Sequence, residues 1–169
     1  MEKKLCIVVG TRPDIIKMSP VLRHCVKNNI PYILMHSGQH YDHEMDGIFF
    51  DELDIPKPDI NLRSSYEINL NRLDQTAVIM NKFKKAFTEE FVDIVVVLGD
   101  TNTALAASLI ARRLNLTLAH IEAGLRSYDW RMQEEHNRVM IDHISDLKFA
   151  PTQVAVSNLI RENIPKSSV

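Results

Sequence analysis

Five polar clusters hold the side chains of this sequence that could do chemistry. Gly10-Thr11-Arg12-Pro13 follows an apolar run and opens a helical pattern, where backbone N–H groups and the positive end of the helix dipole favour an anion such as phosphate. Arg12 could clamp it and Lys17, about one turn on, could add a point charge; the alternative is a tight turn with a solvated arginine. The spacing is neither G-x-G-x-x-G nor G-x-x-x-x-G-K. Asp100 ends the most hydrophobic run, Val95 to Leu98 followed by Gly99, and Glu122 ends the next one. Asp100 either caps the following helix or serves as acid or base in a desolvated crevice, where Glu122 would be a second carboxylate. Two carboxylates in one crevice split their protonation states, as acid–base work requires. Glu134-Glu135-His136-Asn137-Arg138 falls in the first turns of a further helix. Glu134 and Arg138, at i and i+4, form either a surface ion pair worth under about 1 kcal/mol or part of a site. Glu135 points about 100° away on that helix, and Glu135→Gln is expected to have a mild effect. Trp130, just before them, is either a lid or a packing anchor. Ser37-Gly38-Gln39-His40-Tyr41-Asp42 reads as a loop whose glycine lets the backbone approach a ligand beside Gln39 and His40. His36, His40 and His43 cross a strand-to-loop boundary with no cysteine cluster, so no metal site is expected.

The elements that would position these residues are short and alternate in kind. Leu5–Val9, Tyr32–Met35, Ile94–Leu98, Thr117–Ile121 and Leu147–Ala150 are β-branched, nearly continuous apolar runs, the pattern of strands buried on both faces of a parallel sheet. Asp14–Asn28, Asn102–Leu114, Gln133–Ser145 and Thr152–Glu162 read as helices, and Leu70, Leu73, Ala77, Met80, Phe83, Phe87 and Phe91 form one apolar helical stripe. Asp54–Ser65, with Pro56 and Pro58, reads as the longest connection. The class is α/β, a doubly wound parallel sheet. In such sheets ligands bind beyond the carboxyl ends of the strands, and that edge collects Arg12, Gln39, His40, Asp100 and Glu122.

The 169 residues suffice for one domain, and 45% hydrophobic with 25% charged residues excludes collagen-like and disordered classes. Twenty Lys plus Arg against 22 Asp plus Glu give a net charge of −2, so the chain has no overall basic field of the kind that drives nonspecific nucleic-acid binding, which leaves room for a local basic pocket. No uncharged apolar run approaches the roughly 20 residues that cross a bilayer. With no cleavable leader read at the N-terminus and two cysteines, Cys6 and Cys25, the expectation is a cytoplasmic protein with buried thiols.

Taken together, Gly10-Thr11-Arg12-Pro13-Asp14-Ile15-Ile16-Lys17, Ser37 to Asp42, Gly99-Asp100-Thr101, His120-Ile121-Glu122-Ala123-Gly124-Leu125-Arg126 and Glu134 to Arg138 resemble the non-hydrolysing UDP-N-acetylglucosamine 2-epimerases, in order over nearly the whole chain. The resemblance implies the Rossmann-like N-terminal half (residues 1–169) of a two-domain GT-B-type fold, with a C-terminal UDP-binding domain in cis or on a separate chain, and a homodimer at full length. It implies UDP elimination to a glycal and re-addition with inversion at C2, without metal or other cofactor. Asp100, Glu122 and Glu134 are then the acid–base carboxylates; Arg12, Lys17 and Arg138 serve the UDP, and Gln39 and His40 the substrate. Two positions depart from the family pattern: Gln133 where proline is usual, which loosens the approach to Glu134, and Asp14 where glutamate is usual. Half a site is expected to be inactive alone. The alternatives are half of a GT-B glycosyltransferase, with Glu122 or Asp100 activating an acceptor hydroxyl, and a non-catalytic remnant that binds a sugar nucleotide or a partner.

Overall fold

The computed structural model describes residues 4–38, 43–62 and 72–169. Its strands are β1 (Leu5–Val9), β2 (Tyr32–His36), β3 (Ile60–Asn61), β4 (Ile94–Leu98), β5 (Thr117–Ile121) and β6 (Leu147–Phe149). Its helices are α1 (Arg12–Lys27), α2 (His43–Glu52), α3 (Arg72–Glu89), α4 (Asn102–Arg113), α5 (Gln133–Ile144) and α6 (Gln153–Arg161), followed by a short 3-10 turn at Lys166–Ser168. All six strands pair in parallel in the order β3-β2-β1-β4-β5-β6.

β1 shows why its run has no polar alternation. Cys6 and Val8 enter one core with Phe83, Phe87, Ala107 and Ile141, while Ile7 and Val9 enter the other with Ile15, Met18, Leu22 and Phe50. Each such side chain contributes about 1.5–3 kcal/mol when fully buried. Inside α1, Pro20 has no N–H to give the Ile16 carbonyl, and Ser19 Oγ donates to that oxygen at 2.9 Å instead.

Two expectations are corrected, and one helix is found that the sequence did not announce. The Asp54–Ser65 connection contains β3, which pairs Met35 with Ile60 and His36 with Asn61 at the sheet edge. α2 also forms; its run from His43 to Glu52 lacks the caps and long stripe by which a helix is recognised from sequence. The α3 stripe holds at Phe83 and Phe87, whose rings stack at 5.3 Å, but ends before Phe91. Phe91 lies beyond the helix in a left-handed turn (φ 51°) and is 84% exposed.

α1 packs on one face of the sheet and α4 on the other. The connections after β1 and β4 therefore part, and the crevice lies between the carboxyl ends of these adjacent strands. Gly10 sits there because nothing larger fits: a Cβ would lie 2.3 Å from Thr103 Oγ1 and 2.7 Å from Ser37 Oγ, and these two hydroxyls bond each other at 2.7 Å. Gly10→Ala is expected to cost about 1–3 kcal/mol through overpacking, read as a lower thermal midpoint. An unchanged midpoint would mean that β1, β2 and α4 do not meet so closely.

Candidate active site

The register Leu98↔Ile121 places Gly99-Asp100 beside Glu122. Both chains turn sharply there: Gly99 (φ 67°), Glu122 (φ 69°) and Gly124 (φ 80°) are all left-handed. For Glu122, which has a Cβ, that conformation costs roughly 1–2 kcal/mol. A Cβ on Gly99 would lie 3.4 Å from Glu122 Oε2, so the second carboxylate leans over the peptide that carries the first.

Asp100 is not the cap of α4. Thr101 is, its hydroxyl accepting the Ala104 N–H at 3.1 Å, and the Asp100 carboxylate is left for another task. It pairs with Arg138, while its backbone carbonyl accepts from Asn137 Nδ2 at 2.8 Å. Asn137 also donates to Asn102 Oδ1 at 3.1 Å, tying α5 to the start of α4. Glu122 pairs with Lys17 Nζ, 2.9 Å from Oε1 and 3.0 Å from Oε2. Both carboxylates are partly accessible, Asp100 at 30% and Glu122 at 25%. Arg138 is mostly buried, and among the described residues no acceptor meets its Nε.

The first helix terminus differs from the sequence expectation. Gly10 and Thr11 N–H both donate to Asp14 Oδ2 at 3.0 Å, and Pro13 has no N–H, so donors that would cradle a phosphate are already engaged. Burial pushes the Asp14 carboxyl up, against the opposing pull of those two N–H groups. The Arg12 guanidinium lies over the Phe49 ring, 5.7 Å from its centroid. Gln39 and His40 lie outside the described residues.

In α5 the two glutamates differ sharply. Glu134 is exposed, and among the described residues no hydrogen bond or ion pair ties it to Arg138, Asp100 or Glu122. Glu135 is buried and accepts from Ser127 N (3.0 Å), Ser127 Oγ (3.0 Å) and Tyr128 N (2.9 Å), with Arg138 Nη1 at 3.2 Å. The i, i+3 pair therefore forms where i, i+4 was expected, with Glu135 as its carboxylate. It closes the loop after Glu122 onto α5 and shares Arg138 with Asp100. Its burial would raise the carboxyl, but the bonds from Ser127 and Tyr128 and the charge of Arg138 outweigh that and hold it below the usual range. Gln133, in the first turn, donates to Asn137 Oδ1 at 3.3 Å. Trp130 is 62% exposed with its ring against His136 at 5.3 Å, which removes the packing-anchor reading. Among the described residues no three His, Cys, Asp or Glu side chains gather as a metal-holding group.

A parallel sheet with paired charges at its carboxyl edge defines a Rossmann-like half domain. MurG of Acinetobacter baumannii, 11% identical, shares the fold at a TM-score of 0.65 over 90% of this chain and 42% of its own. The family model for UDP-N-acetylglucosamine 2-epimerase matches residues 23–169, and the chain belongs to that family. It is 47% identical over 166 residues to the UDP-N-acetylglucosamine 2-epimerase of Methanocaldococcus jannaschii, covering 98% of this chain and 44% of that protein. The crystal structure of the M. jannaschii enzyme in complex with UDP-GlcNAc and UDP matches with a TM-score of 0.88, at 46% identity, over 98% of this chain and 45% of its own. The Pseudomonas aeruginosa UDP-2,3-diacetamido-2,3-dideoxy-D-glucuronate 2-epimerase is 38% identical over 169 residues, covering 98% of this chain and 46% of that protein. The chain thus spans less than half the length of these relatives.

Glu135→Gln is expected to destabilise the chain by about 1–3 kcal/mol, because an amide cannot accept all three donors. The effect has a pH signature. A carboxyl lowered by folding contributes stability above its unfolded range and loses it as pH falls through the folded value, and both Glu135 and Asp142 are lowered. Asp14, raised by burial, acts in the opposite sense. Acid melts should therefore be shallower for Glu135→Gln than for the parent chain; parallel curves would remove Glu135 from the ion network.

Proposed function

We propose that the full-length protein carrying this chain interconverts UDP-N-acetylglucosamine and UDP-N-acetylmannosamine, with residues 1–169 as the N-terminal domain and the uridine held by a C-terminal domain. The observation that carries this reading is the pairing at the switch point of Asp100 with Arg138 and of Glu122 with Lys17. C2 of the sugar has no carbonyl beside it to stabilise a carbanion, so its proton leaves most easily while the C1–O bond breaks and UDP departs. That step needs a carboxylate for the proton and cations for the diphosphate, and the return step needs a proton donor on the opposite face. Lys17 and Arg138 are the cations nearest the carboxylates, and Arg12 adds a third from the start of α1. Glu134, exposed on α5, completes the acid–base set, while Gln39 and His40 are assigned to the substrate by the family resemblance alone.

Half a nucleotide grip makes the isolated chain inactive, and the complete site requires the other domain in cis or as a second polypeptide. By the same resemblance the full-length protein pairs as a homodimer and supplies an activated sugar for polysaccharide synthesis. Two free, buried thiols, Cys6 and Cys25, suit a cytoplasmic location. Among the described residues no helix is long and apolar enough to cross a membrane.

The test is formation of UDP-N-acetylmannosamine from UDP-N-acetylglucosamine by the full-length protein with no acceptor present. Asp100→Asn, Glu122→Gln and Glu134→Gln should each lower turnover by about a hundredfold or more with little change in UDP affinity. Arg12→Ala should weaken UDP by about 1.5–3 kcal/mol and leave the bare sugar unaffected. Product that forms only when an acceptor is added, or carboxylate variants that turn over normally, would contradict the reading.

A further inference from the structure

Behind the two carboxylates lies a buried pair that touches neither of them. His120 on β5 and Asp142 on α5 have no solvent exposure. His120 Nδ1 lies 2.7 Å from Asp142 Oδ1, and Nε2 lies 2.8 Å from the Gly99 carbonyl oxygen. A carbonyl only accepts, so Nε2 donates. Asp142 is also an acceptor: its Oδ2 takes the Gly124 N–H at 3.0 Å and Arg126 Nη1 at 2.7 Å. The Arg126 guanidinium and the Gly124 N–H, both on Oδ2, hold Asp142 as a carboxylate. Nδ1 therefore donates as well. A neutral imidazole has one N–H, and a ring that donates from both nitrogens is an imidazolium.

Other charged groups surround the pair. Arg126 also forks onto the partly exposed Glu162 at 2.7 and 2.6 Å, and Glu162 lies 4.0 Å from His143 Nδ1. Lys148 on β6 is a further cation that feels Asp142, as well as Asp146 and Arg112, while its Nζ donates to the Ser145 carbonyl.

We propose that His120, doubly protonated between Asp142 and the Gly99 carbonyl, is the positioning residue for both Asp100 and Glu122. The Gly99 carbonyl belongs to the peptide that leads into Asp100, and the Gly124 N–H clamped by Asp142 follows Glu122 by two residues. Gly124 is held on its other side by Asn158 Nδ2, 2.9 Å from its carbonyl oxygen. One buried ion pair thus fixes two left-handed turns that would otherwise relax. This rests on the 2-epimerase reading for its effect on turnover, and on geometry alone for the proton count.

Nitrogen-15 NMR of the full-length protein at neutral pH, with the His120 ring assigned through bonds, should show two ring N–H protons; a single proton overturns the proposal whether or not any variant folds. His120→Asn should displace the backbone amide resonances of Asp100 and Gly124 and lower kcat about a hundredfold, as a misplacement near 1 Å does, with UDP affinity unchanged. Equal losses of kcat and UDP affinity would mean general structural damage and overturn the positioning role. If the parent protein has two ring protons but no epimerase activity, the functional reading fails separately. The amide shifts then decide: displacement at Asp100 and Gly124 upholds the positioning, and their absence overturns it.

Discussion

Two carboxylates just beyond the ends of adjacent strands repel each other, and Asp100 and Glu122 stay side by side because each meets a cation from a different helix. Lys17 reaches Glu122 from α1, and Arg138 reaches Asp100 from α5. Both pairs are partly open to solvent, so neither adds much stability, about 1 kcal/mol at most. Their consequence is placement. Lys17 and Arg138 lie at the crevice, where an arriving diphosphate would compete with the carboxylates for them, and a carboxylate released from its cation becomes a better base.

The sheet makes this arrangement possible. Parallel pairing brings strands remote in sequence to a common carboxyl edge, and the parting of α1 and α4 leaves a cleft between them. Close approach at that point depends on Gly10, against Ser37 and Thr103. Beyond it, the loop after Glu122 is bound to α5 through Glu135, and to α6 through Tyr128, whose hydroxyl donates to Asn158 Oδ1 at 2.9 Å. The cost of a left-handed Glu122 is thereby spread over contacts from two helices, α5 and α6.

Strands β1, β2, β4 and β5 were legible because burial on both faces writes a continuous apolar run, whereas β6, expected to be buried on both faces, is an edge strand that exposes Leu147 and Phe149 and buries Lys148. β3 was hidden because two residues are too few to show a period, and they follow Pro56 and Pro58. Asp100, Glu122, Lys17 and Arg138 were legible as chemistry-bearing residues at strand ends and helix starts. Their pairing was not: α5 turns Glu135 rather than Glu134 toward Arg138, and that choice depends on how the 125–132 loop folds back to present the Ser127 and Tyr128 N–H groups. Asp14 likewise reads as a first-turn acid with no sign that it would consume the donors expected to hold phosphate. His120 and Asp142 carried no signal, being separated by 21 residues and joined only by the packing of α5 on β5.

In the proposed reaction a proton leaves C2 to a carboxylate and returns from another group. The most direct measurement is turnover of UDP-N-acetylglucosamine by the full-length protein in heavy water, followed by mass and NMR analysis of the UDP-N-acetylmannosamine formed. Elimination and re-addition through exchangeable side chains predicts deuterium at C2 of the product. Product that retains its original hydrogen at C2 would contradict the assignment of Asp100 and Glu122 to that proton.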